Sequence, residues 1–280
     1  MAEGWRGGFL GSVFHQTWIC LRWKNYLREV YKIMNIEIAA EKIFSVFNFP
    51  ISNTMLTAWI AMLIVVGFSY FATKHVSLIP SRLQNFFEWI IEELLNTVDG
   101  VMGDRKETER FFPLIATIFI FVLSTNWLGL LPGFGSIGFY ETFEGSRHFV
   151  PFFRSTNADL NTTIALAVIS VFSIQTAGIA ALGFFGYAKK FISFRSFMGF
   201  IVGLLELISE ITKLISFSFR LFGSVFAGEV LLIVMAFLIP YILPLPFIAL
   251  EVFIGFIQAF VFSLLTTVFI KMAMTVSEGH

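Results

Sequence analysis

Charge is scarce in this chain and cysteine is nearly absent. Only 14% of the 280 residues are Asp, Glu, Lys or Arg, against roughly 25% in a soluble domain, which excludes an ordinary soluble globular protein. Nineteen basic and nineteen acidic side chains cancel. There is therefore no excess of one sign to hold a nucleic acid or to keep a tail disordered. The single cysteine, Cys20, excludes an internal disulfide. Four scattered histidines, His15, His75, His148 and His280, lack the spacing of metal ligands, so no metal is expected. No G-x-x-x-x-G-K-[ST] loop is present to cradle phosphates. The 37 phenylalanines read as lipid-facing and packing material, not as a cofactor box, and no cofactor is expected.

What is abundant is apolar sequence, 57% of the chain, arranged in runs of the length that crosses a bilayer, about 20 residues. Five runs qualify: Leu56 to Ala72; Phe111 to Leu131, ended by Pro132 and Gly133; Ile164 to Tyr187, stopped by Lys189 and Lys190; Ser196 to Ile239; and Pro246 to Met274. The fourth has about 44 residues and no proline. At about 1.5 Å per residue an unbroken helix of that length reaches roughly 66 Å, twice the ~30 Å hydrocarbon core. It must break or tilt about 60° from the normal, far beyond the usual ~20°. Pro240, Pro244 and Pro246 then turn the chain, so the last two segments form a long hairpin. Between the first two spans, Ser81 to Met102 places Phe86, Phe87, Ile90, Ile91 and Leu94 on one side, the pattern of an interfacial helix. The expected class is an all-α integral membrane protein of about five embedded helices plus this interfacial one.

Lys and Arg set the orientation. The loop from Lys74 to Arg110 carries five, that from Pro132 to Asn161 two, and that after the third span three. Loops one and three, and with them the C-terminus, are expected on the cytoplasmic side. Residues 1–33 do not fit, because they should lie outside yet contain Arg6, Arg22, Lys24, Arg28 and Lys32. They also lack the apolar core and cleavage site of a secretory signal. The expected organisation is an N-terminal extension over 1–43, with Met34 a candidate natural start, and one membrane domain over 44–280.

Ionisable groups inside a span are costly and mark functional sites by default. Here they crowd the last two segments: Glu206, Glu210, Lys213, Arg220 and Glu229 in the fourth, Glu251 with Gln258 in the last. At 100° per residue Lys213 lies about 20° and Glu206 about 40° from the direction of Arg220, so the three share a stripe. Glu229 points about 180° away and faces a different neighbour. On the Arg220 face follow Gly223, Ser224 and Ala227, all small, which lets another backbone or a sliding surface approach. A guanidinium keeps its proton, so Arg220 cannot relay one, but it favours the charged form of a partner's carboxylate and repels a passing cation. In an antiparallel hairpin Glu251 can sit toward Glu229 and Gln258 toward Arg220. Two carboxyl groups placed so can hold and pass a proton. Plainer readings stand beside these: a headgroup-level face for Glu206, Glu210 and Lys213, and a structural shared-proton bridge for Glu229 and Glu251.

Several motifs now fall in order: Asn126-Trp-Leu-Gly-Leu-Leu-Pro-Gly133, Ala158-Asp-Leu-Asn-Thr-Thr163, Phe219-Arg-Leu-Phe-Gly223 with Ala227-Gly-Glu229, and Ile257-Gln-Ala-Phe260. Over about residues 44 to 280 the chain closely resembles subunit a of the rotary F-type ATP synthase, the membrane stator facing the ring of c subunits. The resemblance implies a proton-translocating subunit with two offset half-channels. In it Arg220 would meet the c-ring carboxylate and separate the channels. Glu229 and Glu251, with Asp159, Asn161 and Gln258 nearby, would line the outer half-channel. Glu206, with Glu210 and Lys213 as secondary candidates, would line the cytoplasmic exit. Many members carry Asn where this chain has Ser224, and some carry His where Glu251 stands. The implied partners are the c-ring, the peripheral-stalk b subunits and the rest of the F1Fo complex in a lipid bilayer. The subunit would not be catalytic alone, and the implied location is a bacterial inner membrane, with an organelle's inner membrane the alternative. Sodium in place of the proton is left open. A self-contained secondary transporter would call for internal repeats in two halves, whereas the charges fall in the C-terminal third. A purely structural anchor gives no reason to bury Arg220, Glu229 and Glu251.

Overall fold

The computed structural model describes residues 42–46, 49–73, 82–131, 134, 137–143, 146–191, 197–239, 242 and 244–275. The proposed extension over 1–33 and its start at Met34 lie outside the described residues. A short antiparallel hairpin, β1 (Lys42–Val46) with β2 (Phe49–Ser52), leads into α1 (Asn53–Thr73). There follow α2 (Arg82–Met102), α3 (Arg105–Gly129), a second hairpin of β3 (Gly138–Phe143) and β4 (Ser146–Pro151), α4 (Leu160–Leu182), α5 (Phe184–Phe191), α6 (Phe197–Leu238) and α7 (Pro244–Met274). Helices α1, α3, α4, α6 and α7 are long and apolar enough to cross a membrane. The protein is thus an all-α, multi-pass integral membrane protein, with α2 amphipathic as its sequence pattern predicts.

Boundaries differ from the hydropathy reading in ways with local causes. Helix α3 starts at Arg105, six residues before the apolar run, because Asp104 caps it by accepting from the Lys106 N–H at 3.0 Å. Gly103, at φ 71°, closes α2 just before it, its N–H donating to the Asp99 carbonyl. The third apolar run is not one helix to Tyr187. Gly183 takes φ 74°, ends α4, and lets α5 fold back on it. Gly178 makes room for that return, since a Cβ there would overlap the Tyr187 ring. Neither hairpin was expected. Helix α6, in contrast, runs unbroken for 42 residues, about 63 Å if straight.

The core is built where the helices meet. Val98, Ile115, Val122, Ala167, Ile174, Phe217, Leu221, Ala259 and Ile270 are fully or almost fully buried. Phe217 of α6 packs its ring against Phe262 and Phe269 of α7, at centroid distances of 5.0 and 5.7 Å. Lys271 of α7 donates to the Val101 carbonyl at 2.9 Å. It places a cation at the C-terminal end of α2, where the helix dipole and a free carbonyl both favour it.

Candidate functional site

Polar side chains gather at the two ends of the bundle, and α6 carries one group toward each. At one end the last turn of α3, the first turns of α1 and α4, the Glu251–Gly255 stretch of α7 and the C-terminal part of α6 converge. Asn157, in the 3-10 turn over Thr156–Ala158, donates to Thr125 Oγ1 at 2.8 Å and Asn126 Oδ1 at 2.7 Å. Asn126 passes its own amide N–H to the Gly255 carbonyl at 3.0 Å, and Trp127 Nε1 donates to the Val252 carbonyl at 3.1 Å. A Cβ on Gly255 would stand 3.1 Å from that of Asn126, so glycine is what allows α3 and α7 to close here.

Asp159 caps α4 from the same turn. Its Oδ1 accepts from the Asn161 N–H at 3.0 Å and from Asn161 Nδ2 at 3.2 Å, and its Oδ2 from Thr54 Oγ1 at 2.9 Å. It is buried. These bonds tie the head of α4 to α1, and among the described residues no hydrogen bond or ion pair joins Asp159 or Asn161 to the Glu229 and Glu251 carboxyls.

Glu229 of α6 is held by an arginine from outside the spans. Arg154, on the strap between β4 and α4, donates through Nε to Glu229 Oε1 at 3.2 Å and through Nη2 to Oε2 at 3.4 Å. The side chains are 10% and 30% exposed, a mostly desolvated, two-point contact. The sequence reading places Glu229 away from Arg220 and toward another neighbour; that neighbour is Arg154, which it counted only as a loop charge. Glu251 lies opposite on α7, close enough to Glu229 for their charges to interact. Its carboxyl rests directly on Gly228, where a Cβ would overlap Oε1 and stand 2.7 Å from Cδ. Among the described residues Glu251 Oε2 is buried without a hydrogen-bond partner.

Toward the other end, Glu210 and Lys213 form an ion pair at 2.7 Å, with side chains 11% and 13% exposed. Gln175 of α4 donates to the second Glu210 oxygen at 2.8 Å and accepts from the Tyr187 hydroxyl at 2.5 Å. Lys213 also lies over the Phe269 ring, 4.9 Å from its centroid. Burial, then the nearby Glu210 and Glu206 carboxylates, push the Tyr187 hydroxyl up to about 12, so it stays a donor. Lys213, seven residues before Arg220, thus has its ammonium committed to this network.

Arg220 stands between the two clusters, seven residues from Lys213 and nine from Glu229. It is exposed, as are Leu205, Ile208, Thr212, Ile215 and Phe219 before it and Gly223 and Ala227 after it. Among the described residues its guanidinium has no hydrogen bond or ion pair. Ser224 turns its hydroxyl back onto the Arg220 and Leu221 carbonyls, at 3.1 and 3.0 Å, and so does not extend the polar reach of Arg220. Gln258 is partly buried on α7, and no contact brings it to Arg220 among the described residues.

The longest helix of this multi-pass protein thus carries a polar cluster toward each end and, between them on an open face, a guanidinium with no partner among the described residues, a placement that marks a functional-site candidate. Residues 55–271 match the model of the ATP synthase A chain family. The chain is 35% identical over 228 residues to the ATP synthase subunit a of Gloeobacter violaceus, covering 81% of this chain and 86% of that one. It is 34% identical to those of Moorella thermoacetica, over 82% and 94%, and of Campylobacter jejuni, over 78% and 88%. The chain belongs to the ATP synthase subunit a family.

Proposed function

We propose that the chain, with residues 44–280 acting as one membrane domain, is the proton-conducting stator subunit of a rotary F1Fo ATP synthase. The observation that carries the proposal is Arg220: a permanent charge on an apolar, open helix face, with no partner among the described residues. Such a charge is costly in lipid, so it calls for an anion from a neighbouring subunit, and the family points to the carboxylate of the c-ring. Glu229 and Glu251, with Asp159, Asn161 and Gln258 around them, form the outer half-channel. Glu206, beside the Glu210–Lys213 pair, marks the cytoplasmic one. Glu210 and Glu229 are nineteen residues apart on one helix, about 28 Å. The two routes are therefore offset along α6, on either side of Arg220, and in this reading a proton crosses only by riding the ring past Arg220.

In this reading Arg220 does not transfer the proton. It draws the ring carboxylate into its ionised form as it arrives and blocks a direct leak between the routes. The C-terminus faces the cytoplasm of a bacterial inner membrane, and the peripheral-stalk b subunits hold the chain against the turning ring.

The test is coupled transport by the assembled complex in vesicles, comparing the native chain with Arg220→Ala. Loss of both ATP-driven pumping and gradient-driven synthesis, with assembly intact, is the expected result. Full coupled activity in the variant overturns the assignment and returns a self-contained transporter to consideration. Replacing protons by sodium as the driving ion in the same vesicles distinguishes the two cargo ions.

A further inference from the structure

We propose that Arg154 is a positioning residue of the outer half-channel: clamped on its strap, it fixes the Glu229 carboxylate and leaves Glu251 as the group that takes up and passes the proton. The inference rests on the half-channel reading above. It starts from an asymmetry between two neighbouring carboxyl groups. Both oxygens of Glu229 accept from the Arg154 guanidinium, at 3.2 and 3.4 Å. Glu251 has one oxygen buried and unbonded among the described residues, although its charge lies within range of Glu229. An oxygen without a donor is where a proton is accommodated without breaking anything, whereas a proton on Glu229 would have to displace an arginine N–H.

The strap is itself held. The Arg154 N–H donates to Thr57 Oγ1 at 3.3 Å, and Thr57 in turn donates to the Asn53 carbonyl at 3.0 Å. Asn53 Nδ2 reaches the Pro151 carbonyl at 3.5 Å. Three residues further along, Asn157 pins the strap to the end of α3. The guanidinium is thus delivered to α6 from a fixed backbone, as a positioning group requires. Among the residues whose side chains are described, the charged groups in and around this pair of carboxyl groups are Arg154 on the strap, Glu229 on α6, Glu251 on α7 and, at the head of α4, Asp159. Asp159 is turned to Thr54 and Asn161, and α1 contributes the uncharged Asn53, Thr54 and Thr57.

The experiment measures gradient-driven ATP synthesis by the complete complex in vesicles as the pH of the proton-donating side is varied at fixed driving force, with assembly quantified in each variant. Arg154→Gln is expected to lower the rate roughly tenfold, the scale of one lost charge-assisted hydrogen bond. It is also expected to broaden the pH profile from one titrating group to two, as Glu229 enters the relay. Arg154→Gln with Glu229→Gln should restore the single-group profile, which a merely structural ion pair would not do. If Arg154→Gln does not assemble, Arg154→Lys, which keeps the charge but not the fork, should show the same broadening. An assembled Arg154 variant with native rate and profile overturns the proposal. Glu251→Gln separates this outcome from failure of the half-channel reading itself: if it transports normally, that reading fails whatever Arg154 does.

Discussion

The contact between Gly228 and Glu251 turns one added methyl group into a measurement of carboxyl placement. In Gly228→Ala the new Cβ would stand 2.7 Å from Glu251 Cδ and 3.3 Å from its Cγ, whereas ordinary contact begins near 3.4 Å. The carboxyl must retreat by at least roughly 0.7 Å at Cδ, and further at Oε1, which the new Cβ would overlap, because helix backbone on one side and the α7 backbone on the other leave the side chain as the movable part. The fold should barely register this. Alanine gains up to about 1 kcal/mol over glycine in a helix interior, which offsets the ~0.5–1.5 kcal/mol of an off-rotamer side chain. Transport should register it strongly, since displacing a reacting group by ~1 Å costs up to about a hundredfold. The expected result is a ten- to hundredfold slower proton flux, on that same scale, in vesicles carrying normal amounts of assembled complex. Glu251→Asp, shorter by one methylene, should recover part of the flux in the Gly228→Ala background while impairing the native one. Native flux in assembled Gly228→Ala would refute the idea that the position of this carboxyl matters.

Two further predictions probe the open face and the opposite cluster. A Cβ at Gly223 would meet nothing within 4 Å, so Gly223→Leu should leave the thermal stability of the isolated chain in detergent unchanged or slightly raised. Its coupled pumping should nevertheless fall, because the added side chain stands where the ring would pass; native pumping would remove Gly223 from that contact. Tyr187, pushed up to about 12 by burial and then by Glu210 and Glu206, keeps its proton in the fold after an unfolded tyrosine would lose it. Its stabilising effect is complete below about pH 10 and is lost as the pH rises from there toward 12. Thermal unfolding followed against pH should show this alkaline decline in the native chain and a shallower one in Tyr187→Phe; equal slopes would exclude Tyr187 as its source.

Much of the architecture is legible because bilayer physics is local. A run of about 20 apolar residues must be a helix, so the five spans can be read from composition and length. The absence of proline between Phe197 and Leu238 allows an unbroken α6, but length alone leaves a break or a strong tilt open, and the structure shows no break. What sequence does not reveal is what depends on a distant partner. The Arg154–Glu229 pair joins residues 75 positions apart, and nothing near Arg154 distinguishes it from an ordinary loop charge except its place five residues before the capping Asp159. The break at Gly183 is one glycine among Gly178, Gly183 and Gly186 in an apolar stretch. Only its positive φ, and the docking of Tyr187 that follows, single it out. The hairpins depend on strand pairing, which short polar-aromatic loops do not announce.

The distribution of partners along α6 carries the functional argument further than the inventory of charges does. Glu210 and Lys213 satisfy each other, and Glu229 is held by Arg154. These contacts neutralise charge inside the chain, which is how a membrane protein reduces the cost of burying it. Arg220 follows a different rule: its neighbours on the helix face are apolar or small, and Ser224 spends its hydroxyl on the backbone. Among the described residues no carboxylate on α4 or α7 pairs with it, whereas Glu229 has Arg154. On the function proposed above, the counter-charge for Arg220, which has none among the described residues, would come from another subunit. If that counter-charge were permanent, a fixed ion pair would lock the two subunits together. A face of Gly223 and Ala227 beside a guanidinium unpaired among the described residues would, on the proposed function, suit a carboxylate that comes, is held in its ionised form, and moves on.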